Sequence, residues 1–314
     1  MSGHRLPRVT ALGGGHGLSA TLQALRQITD ELTAVVTVAD NGGSSGRLRR
    51  ELGGLPPGDL RMALAALCGD DSIGRGWARV LQSRFESGGP LNGHAIGNLL
   101  IEGVWQQFDP VSGLELVGQL LKARGRVLPM SLEPLSIEAD VIGADPDRPD
   151  EFCVVRGQHE VAVTSGRVTN LRLLPDQPPA CPEALAAVQQ ADFVVLGPGS
   201  WFTSVLPHLL VPELAAAIIG AAGHRVLTLN VAPADETAGV SPAQHLEIIA
   251  EHAPGLRFDT IVADSAFAAT DPHLAGFAAN LGARLLIADV RRHDGTARHD
   301  PLRLAAVFAE LMIG

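Results

Sequence analysis

Residues 35–47 read Val35-Val36-Thr37-Val38-Ala39-Asp40-Asn41-Gly42-Gly43-Ser44-Ser45-Gly46-Arg47, an apolar, β-branched run that ends in an acid, an amide, a glycine–serine loop and an arginine. Valine and threonine fit a buried strand, and the glycine cluster ends that strand. The small residues of the loop can turn backbone N–H groups toward an anion, with Arg47 as a cation beside them. The segment therefore predicts a buried strand followed by an anion-binding loop.

A second strand-to-glycine unit lies upstream. Residues 8–12 run into Gly13-Gly14-Gly15-His16-Gly17-Leu18-Ser19-Ala20 ahead of an amphipathic helix. This loop fits the pattern G-x-G-x-x-A, and Asp40 lies roughly twenty residues further on, where a dinucleotide site places its ribose-binding acid. A tight turn for helix–strand packing is the alternative, and a Walker A loop is excluded because no Gly-Lys-Ser/Thr occurs. Together the two units predict a site for a nucleotide or sugar phosphate.

The composition bounds the class of protein. The chain has 314 residues, 46% of them hydrophobic, which is ample for a core and excludes general disorder. A net charge of -10 argues against general nucleic-acid binding, which needs a basic face. Of the 24 Lys and Arg residues only Lys122 is a lysine, which we interpret mainly as compositional bias.

Cysteine usage and hydropathy indicate a cytoplasmic protein. The three cysteines, Cys68, Cys153 and Cys181, are widely spaced and odd in number, so we predict buried thiols in a reducing compartment. The N-terminal residues contain no signal-type apolar region, and no run of about 18 apolar residues predicts a membrane span.

Short, almost continuously apolar segments alternate with helix-length segments, which is typical of a mainly parallel sheet covered on both faces. The predicted strands are 8–12, 33–39, 192–197, 225–231, 258–264 and 284–290, and the predicted helices include 18–28, 182–190, 241–252 and 301–312. Between them we predict helices at 58–67, 94–108 and 113–123 and short strands at 136–142, 153–155, 160–163 and 168–174. We therefore predict one α/β domain over 1–314. Its Rossmann-like, doubly wound core comes from 1–55 and 176–314, and its insertion at 56–175 is helical at 56–124 and β-rich at 126–175.

Several further segments could carry chemistry. Gly42–Gly46 formally matches the nucleophile elbow G-x-S-x-G, but it follows only the second strand and no His is marked as its partner, so an anion nest is favoured. Asp59 and Arg61 begin a helix after Pro56-Pro57-Gly58, where they cap it or stand at the mouth of a cleft. His94 and Asn98 are four residues apart, on one face of a helix, and a buried structural bond is their simpler role.

Three loops in the C-terminal half follow strands. Residues 197–204, Gly-Pro-Gly-Ser-Trp-Phe-Thr-Ser, offer backbone N–H groups with the hydroxyls of Ser200 and Thr203, at a strand end where open α/β sheets bind ligands. We interpret the acids of Asp235–Thr237 as solvated. In residues 291–300 a turn that directs Arg298 at a phosphate is favoured over a His–Asp metal site, since nothing enforces metal geometry.

Taken in order, these motifs resemble those of the YvcK-like gluconeogenesis-factor family, a sister group of the 2-phospho-L-lactate transferases. The resemblance runs from residue 8 to residue 300. It implies a cytoplasmic, Rossmann-like protein that binds UDP-N-acetylglucosamine and links gluconeogenic carbon metabolism to peptidoglycan precursor supply and cell shape. It also implies a protein partner in cell-wall precursor synthesis, leaves a homo-oligomer open, and settles no catalytic activity or catalytic residue.

The ligand-facing positions that the resemblance implies are Gly14, Gly15, Gly17, Asp40, Asn41, Ser44, Ser45, Arg47, Asp59, Asn98, Gly199, Ser200, Thr203, Phe277 and Arg298. Phe277 stands where relatives carry a Tyr, so ring stacking is kept and a hydroxyl contact is lost. Asn41 replaces a second Asp, which weakens a two-acid metal site. Pro301 stands where some relatives have Thr, so phosphorylation there is not carried over.

The interpretation that we favour is a regulatory protein that binds UDP-N-acetylglucosamine and needs no cofactor and no metal, rather than an enzyme. The first alternative is a transferase acting on a phosphorylated or nucleotide-activated small molecule, with Mg²⁺ near Asp40 and Asp59. The second is an NAD-binding oxidoreductase, which lacks a recognisable acid–base pair for hydride transfer.

Overall fold

The computed structural model describes residues 5–145, 147–148, 150–164, 166–233 and 235–314. Its strands are β1 (Val9–Gly13), β2 (Leu32–Val36), β3 (Arg126–Pro129), β4 (Ser136–Ile142), β5 (Phe152–Arg156), β6 (Arg167–Leu174), β7 (Phe193–Leu196), β8 (His224–Thr228), β9 (Thr260–Asp264) and β10 (Arg284–Ala288). Its α-helices are α1 (Gly15–Leu25), α2 (Gly43–Leu52), α3 (Gly58–Leu67), α4 (Ser72–Gln82), α5 (Ile96–Trp105), α6 (Pro110–Leu121), α7 (Gln158–Ala162), α8 (Pro182–Gln190), α9 (Pro207–Leu210), α10 (Pro212–Ile219), α11 (Pro242–His252), α12 (Ser265–Ala268), α13 (Leu274–Asn280) and α14 (Pro301–Met312).

Seven strands form one parallel sheet in the order β10-β9-β8-β7-β1-β2-β3. The chain builds outward from β1 in one direction through β2 and β3, and in the other through β7 to β10. The order therefore reverses between β1 and β7, and open α/β sheets bind ligands at the carboxyl ends of the strands at such a switch point. The predicted doubly wound, Rossmann-like α/β fold is confirmed.

Helices cover both faces of this sheet. α1 packs against α3 and α14, while α8 packs against α10. The central strands are fully buried; Ala11, Val35 and Val195 are all 0% exposed. Their unbroken apolar sequence follows from this burial, because a strand covered on both faces has no polar side.

The second sheet is small and antiparallel, in the order β5-β4-β6, with an irregularity between Asp140 and Val141. α7 packs against β4 and against the π-helical turn Trp201–Val205 that follows β7. The small sheet is thereby held beside the carboxyl end of β7.

The structure differs from the sequence predictions in four places. Residues 160–163, predicted as a strand, lie largely in α7, because Gly157 at φ 109° ends β5 and turns the chain. β3 lies in the span assigned to the insertion but pairs with β2 of the main sheet. α4 was not predicted, and α2 begins within the predicted anion loop, at Gly43.

One cysteine prediction was wrong. Cys68 and Cys181 are buried, as expected, but Cys153 is exposed. It lies on β5, a strand at the edge of the small sheet.

Among the described residues, no helix combines the length and the apolar character that crossing a membrane requires.

Candidate functional site

The loops after β1 and β7 are locked together at the switch point. A Cβ on Gly17 would lie 2.3 Å from the carbonyl oxygen of Pro198, so only glycine allows this approach. Asn230, just after β8, holds the second loop from the other side. Its Oδ1 accepts from the Gly199 N–H at 3.0 Å, and its Nδ2 donates to the Gly199 carbonyl at 2.8 Å. The loops after three neighbouring strands thus form one fixed edge.

α1 begins at this edge without a side-chain cap. Its N-cap is Gly14, no side chain bonds the free N–H groups from the cap position, and the first turn holds no acid. The Gly15 N–H donates to Asp59 of α3. The other amides of the first turn carry the positive end of the helix dipole, which favours an anion.

A cavity of about 420 Å³ opens along one side of α1, from His16 and Gly17 in its first turn to Gln23. It is lined by residues of the two glycine loops and of the turn before α14, among them His16, Gly17, Ser200, Asn230, Arg298 and Pro301. The guanidinium group of Arg298 forms no hydrogen bond or ion pair with the part of the chain that the structure describes. It lies close enough to His16, together with Arg61, to help burial lower the pKa of that imidazole. The cavity therefore combines an uncapped helix with an uncommitted cation.

Two carboxylates stand behind the loops. Asp40 Oδ1 accepts from the Gly42 N–H at 2.8 Å, and a Cβ on Gly58 would lie 2.7 Å from Asp40 Oδ2. Asp59 is partly exposed, but its carboxyl group is packed against Gly14, where a Cβ would lie 2.7 Å from Oδ2. Burial, and then the charge of Asp40, raise the pKa of Asp59 to about 7. Asp59 is therefore about half protonated near neutral pH.

This raised pKa predicts a pH dependence of stability. From about pH 4 to pH 7 the native state keeps a proton on Asp59 that the unfolded chain has released, so the free energy of unfolding falls as pH rises through this window. We expect the free energy of unfolding of Asp59→Asn to exceed that of wild type by about 1–2 kcal/mol at pH 8, a value lowered for partial solvent access. At pH 4 the two free energies should be equal. Urea unfolding at both pH values measures the difference.

Asp109→Asn is the matched control. Asp109 caps α6, and its hydrogen bonds with Ser112 lower the pKa of its carboxyl group, so removing its charge should give no gain at pH 8. An equal gain of Asp59→Asn at pH 4 and pH 8 would contradict the proposed protonation of Asp59.

A buried polar network joins α2 to α5. Ser44 Oγ lies 3.0 Å from His94 Nδ1, 3.3 Å from the Ala95 amide nitrogen and 3.0 Å from Asn98 Nδ2. The amide and Asn98 Nδ2 can only donate, so the hydroxyl proton goes to His94 Nδ1. Asn98 Oδ1 in turn accepts from Arg61 Nε at 2.8 Å. The network fixes Arg61 beside the two carboxylates.

His94 and Asn98 both contact Ser44, but they do not share one face of a helix as predicted. α5 begins only after the cap residue Ala95, so His94 precedes the helix instead of sharing its face with Asn98. Both lone pairs of Ser44 are occupied by donors, which makes this hydroxyl a structural tie and a poor nucleophile. A nucleophile elbow was already disfavoured, because this loop follows only the second strand. The contact between Ser44 and His94 does not support it either.

Two predicted ligand residues point elsewhere. Arg47 donates to the carbonyl oxygens of Asn92 at 2.8 Å and Pro90 at 3.3 Å. Asn41 accepts from the His159 N–H at 3.0 Å and donates to Glu160 at 2.8 Å, both on α7. These side chains tie the glycine–serine loop to its neighbours.

The remaining predicted positions divide clearly. Gly17, Gly199, Ser200 and Arg298 line the cavity, and Thr203, which is 2% exposed, lies beneath Ser200. The others cluster around the two carboxylates and the Ser44 network: Gly14, Gly15, Asp40, Ser44, Ser45, Asp59 and Asn98. Ser200 and Thr203 share a hydrogen bond through their hydroxyls. Phe277 is not brought to either set. It lies on α13, where it packs against the core.

The prediction that the acids of Asp235–Thr237 are solvated was wrong for Glu236. That residue is 5% exposed, and its carboxylate accepts from the Phe202 N–H at 3.0 Å. It supports the π-helical turn that carries Thr203.

Two residues at the site were not predicted from the sequence, Asn230 and Gln158. Asn230 follows the end of β8, so the rule about carboxyl ends of strands could have found it. Gln158 bonds Asp59 and donates to the Thr203 carbonyl at 3.4 Å. It comes from a helix of the insertion, and nothing local in the sequence indicated that helix.

A doubly wound sheet with a cleft at its switch point defines a Rossmann-like α/β protein. Comparisons with known proteins identify its family. The family model described as 2-phospho-L-lactate transferase CofD matches residues 9–293. A Mycobacterium tuberculosis protein, provisionally named a gluconeogenesis factor, is 53% identical over 305 residues, which cover 96% of this chain and 89% of that protein. The gluconeogenesis factor of Listeria innocua is 36% identical over 254 residues, covering 80% and 76%.

The solved structures agree. A crystal structure of a UPF0052-family protein from Bacillus halodurans has a TM-score of 0.83 at 32% identity, covering 97% of this chain and 99% of that one. The chain therefore belongs to the CofD family, in its YvcK-like gluconeogenesis-factor branch. The family resemblance drawn from the motifs is confirmed.

Proposed function

We propose that this protein binds UDP-N-acetylglucosamine and acts as a regulator that links gluconeogenic carbon metabolism to cell-wall precursor supply. The observation that carries the proposal is the uncapped start of α1, which opens into a cavity holding the uncommitted guanidinium of Arg298. The name of the relatives, gluconeogenesis factor, supports the metabolic side of the proposal.

The pyrophosphate of such a ligand fits the first turn of α1. Backbone N–H groups there meet the phosphate oxygens, and Arg298 adds charge-assisted hydrogen bonds from the opposite wall. Ser200, which lines the cavity, offers a hydroxyl at the adjoining loop, and Thr203 holds it by a hydrogen bond. A cavity of about 420 Å³ is of the size that holds a nucleotide.

The sugar and ribose hydroxyls need acceptors, and Asp59, which contacts the start of α1, is the carboxyl group we assign to them. Asp59 accepts from the N–H of Gly15, the residue next to His16 of the cavity wall, so we place the hydroxyl groups of the ligand at this end of the cavity. Hydroxyl recognition by carboxylates uses no metal ion.

The NAD alternative is weaker on this geometry. Its main support was Asp40 as the ribose-binding acid, but that carboxylate accepts from the Gly42 N–H and packs at the start of α3. It faces the start of α2 and α3 more than the first turn of α1.

The transferase alternative has one observation in its favour, the closeness of Asp40 and Asp59. Burial, and after it the charge of Asp40, raises the pKa of Asp59, and a divalent cation would relieve the repulsion between the two carboxylates. Asn41 would add little, because its side chain is engaged by α7. Within the described parts of the chain no group of three or more metal-ligating side chains is found.

Calorimetric and thermal-shift titrations against UDP-N-acetylglucosamine, UDP, NAD and GDP, each with and without Mg²⁺, test the proposal. A ligand at 100 times its Kd adds about 2.7 kcal/mol, which for a domain of this size raises Tm by several degrees. We expect this shift with UDP-N-acetylglucosamine and no change on adding Mg²⁺. Stabilisation by NAD alone would favour the oxidoreductase, and turnover that requires Mg²⁺ would favour the transferase.

The regulatory half of the proposal needs a cellular test. In a strain that lacks the gene and grows poorly on gluconeogenic carbon, wild-type protein should restore growth and cell shape. A variant that folds but no longer binds the nucleotide sugar should fail. Equal rescue by that variant would separate binding from regulation.

A further inference from the structure

We propose that His16 binds the phosphate groups of the ligand in its protonated form, so that the cleft takes up a proton as the ligand enters. The inference rests on the proposed function and deepens it, because it makes binding at this site depend on pH. His16 is exposed, lines the cavity beside Gly17 and forms no hydrogen bond with the described residues. It is not one of the ligand-facing positions that the resemblance implies.

The imidazole belongs to the same helical turn as the backbone groups that can hold an anion. α1 begins at Gly15, and the first N–H groups of a helix have no partner within it. The Gly15 N–H donates to Asp59, which leaves the amides of His16 and Gly17 for a ligand. Side chains of a helix lean toward its N-terminus, so the His16 ring stands beside an anion that these two amides hold.

In the free protein the surroundings keep this imidazole neutral. Burial, and then the charges of Arg298 and Arg61, lower the pKa of His16. His299 adds no charge near neutral pH, because burial lowers its pKa to about 4 while its Nε2 donates to the Leu229 carbonyl at 3.1 Å. The cavity-lining residues of α14 and of the loops after β7 and β8 are uncharged. The titratable and charged groups around His16 are therefore Asp59 and Arg61 of α3 and Arg292, Arg298 and His299 of the turn before α14.

The charges at the cavity leave room for one more cation when a diphosphate binds. Arg61 faces the two carboxylates, and Arg292 lies 3.9 Å from the carboxylate of Asp294, so both cations are largely compensated. Arg298 and the half charge of the helix end supply about 1.5 positive charges against the two negative charges of a diphosphate. The ligand thus reverses the repulsion that keeps His16 neutral, and the protonated ring can donate a charge-assisted hydrogen bond to a phosphate oxygen.

Affinity for UDP-N-acetylglucosamine should therefore rise as pH falls. Between the raised pKa of His16 in the complex and its lowered pKa in the free protein, binding takes up a proton, and a lower pH favours the complex. Below the lower of the two values the rise stops, because free His16 is then charged already. A charge-assisted hydrogen bond exceeds a neutral one by about tenfold in affinity, so we expect Kd to be about tenfold lower at pH 6 than at pH 8.

Calorimetry at pH 7 in buffers of different ionisation enthalpy counts the protons taken up. The phosphates of a nucleotide sugar stay ionised over this pH range, so the proton must go to the protein. In His16→Gln the uptake should disappear and Kd should depend little on pH, while the affinity at pH 8 stays within about threefold of wild type. Uptake that persists in this variant would assign the proton to Asp59 and overturn the proposal.

His293→Gln is the matched control. His293 lies on the same turn before α14, but it does not line the cavity, and its Nε2 lies 3.2 Å from Oδ1 of Asp289. This variant should keep the Kd of wild type at pH 6 and at pH 8. A loss of pH dependence here as well would mean that the effect does not come from His16.

Sulfate separates this inference from the proposed function, because it keeps two negative charges over the same pH range and contains no nucleotide. In NMR titrations of the histidine rings, the pKa of His16 should be higher in sulfate than in chloride at equal ionic strength. A rise with sulfate, but no binding of UDP-N-acetylglucosamine at any pH, would keep the proton uptake and reject the nucleotide sugar. A His16 titration that neither sulfate nor the nucleotide sugar shifts would overturn the inference, even if calorimetry detects binding.

Discussion

Gly17→Ala is expected to lower Tm by about 4–8 °C and to weaken nucleotide-sugar binding more than about tenfold. The added Cβ would lie 2.3 Å from the Pro198 carbonyl oxygen and 2.7 Å from the Gly199 Cα. Both atoms belong to backbone that Asn230 holds in place, so neither can rotate away as a side chain would. α1 must therefore move off the second loop, and the cavity between them changes shape.

Gly103→Ala is the matched control, since Gly103 lies within α5 and its Cβ would meet open space. Alanine is favoured over glycine inside a helix by up to about 1 kcal/mol, so this variant should be unchanged or slightly more stable. Thermal unfolding and calorimetry on both variants measure the effects. If Gly17→Ala and Gly103→Ala have the same Tm and the same affinity, the two loops do not make this close contact.

Arg298→Ala should lower affinity for UDP-N-acetylglucosamine by some ten- to hundredfold while Tm of the free protein stays the same. A charge-assisted hydrogen bond to phosphate contributes about 1.5–3 kcal/mol. The stability of the free protein should not change, because the guanidinium is exposed and makes no hydrogen bond or ion pair within the described residues. Calorimetric titration measures the Kd of the variant against wild type.

Two companion variants sharpen this result. Arg298→Lys should recover only part of the affinity, because a point charge cannot replace a bidentate fork. Arg292→Ala removes a second arginine at the same cavity, but that side chain is already bonded to the His299 carbonyl, so its loss should matter less. A titration curve of Arg298→Ala that overlays wild type would remove this residue from the site.

The main sheet could be predicted because its strands are buried on both faces. Residues 33–39 and 192–197 are largely apolar runs that lead into glycine-rich loops. The second contains β7, and the first overlaps β2 from Thr33 to Val36. β3 was harder to recognise, since its four residues end in Pro129 and lie at the edge of the sheet. The alternation in residues 160–163 suggested a strand, but contacts of α7 with β4 and with the π-helical turn decide its conformation.

The site also had one part that a local sequence pattern predicts and another part that contacts from distant residues decide. Its glycine loops could be found, because a strand that ends in glycines at the carboxyl edge of a parallel sheet is a local pattern. The directions of Asn41 and Arg47 could not, since their partners, His159 and Asn92, come from distant parts of the chain. The role of Gln158 was hidden for the same reason.

The locked loops have a consequence for the kinetics of ligand capture. Gly17, Pro198 and Asn230 lock the two glycine loops together, so these loops need not be ordered when a ligand arrives. Association should then be a single step limited by encounter, and the lifetime of the complex should set its affinity. Under the proposed function, such a site would report the cellular level of its ligand promptly.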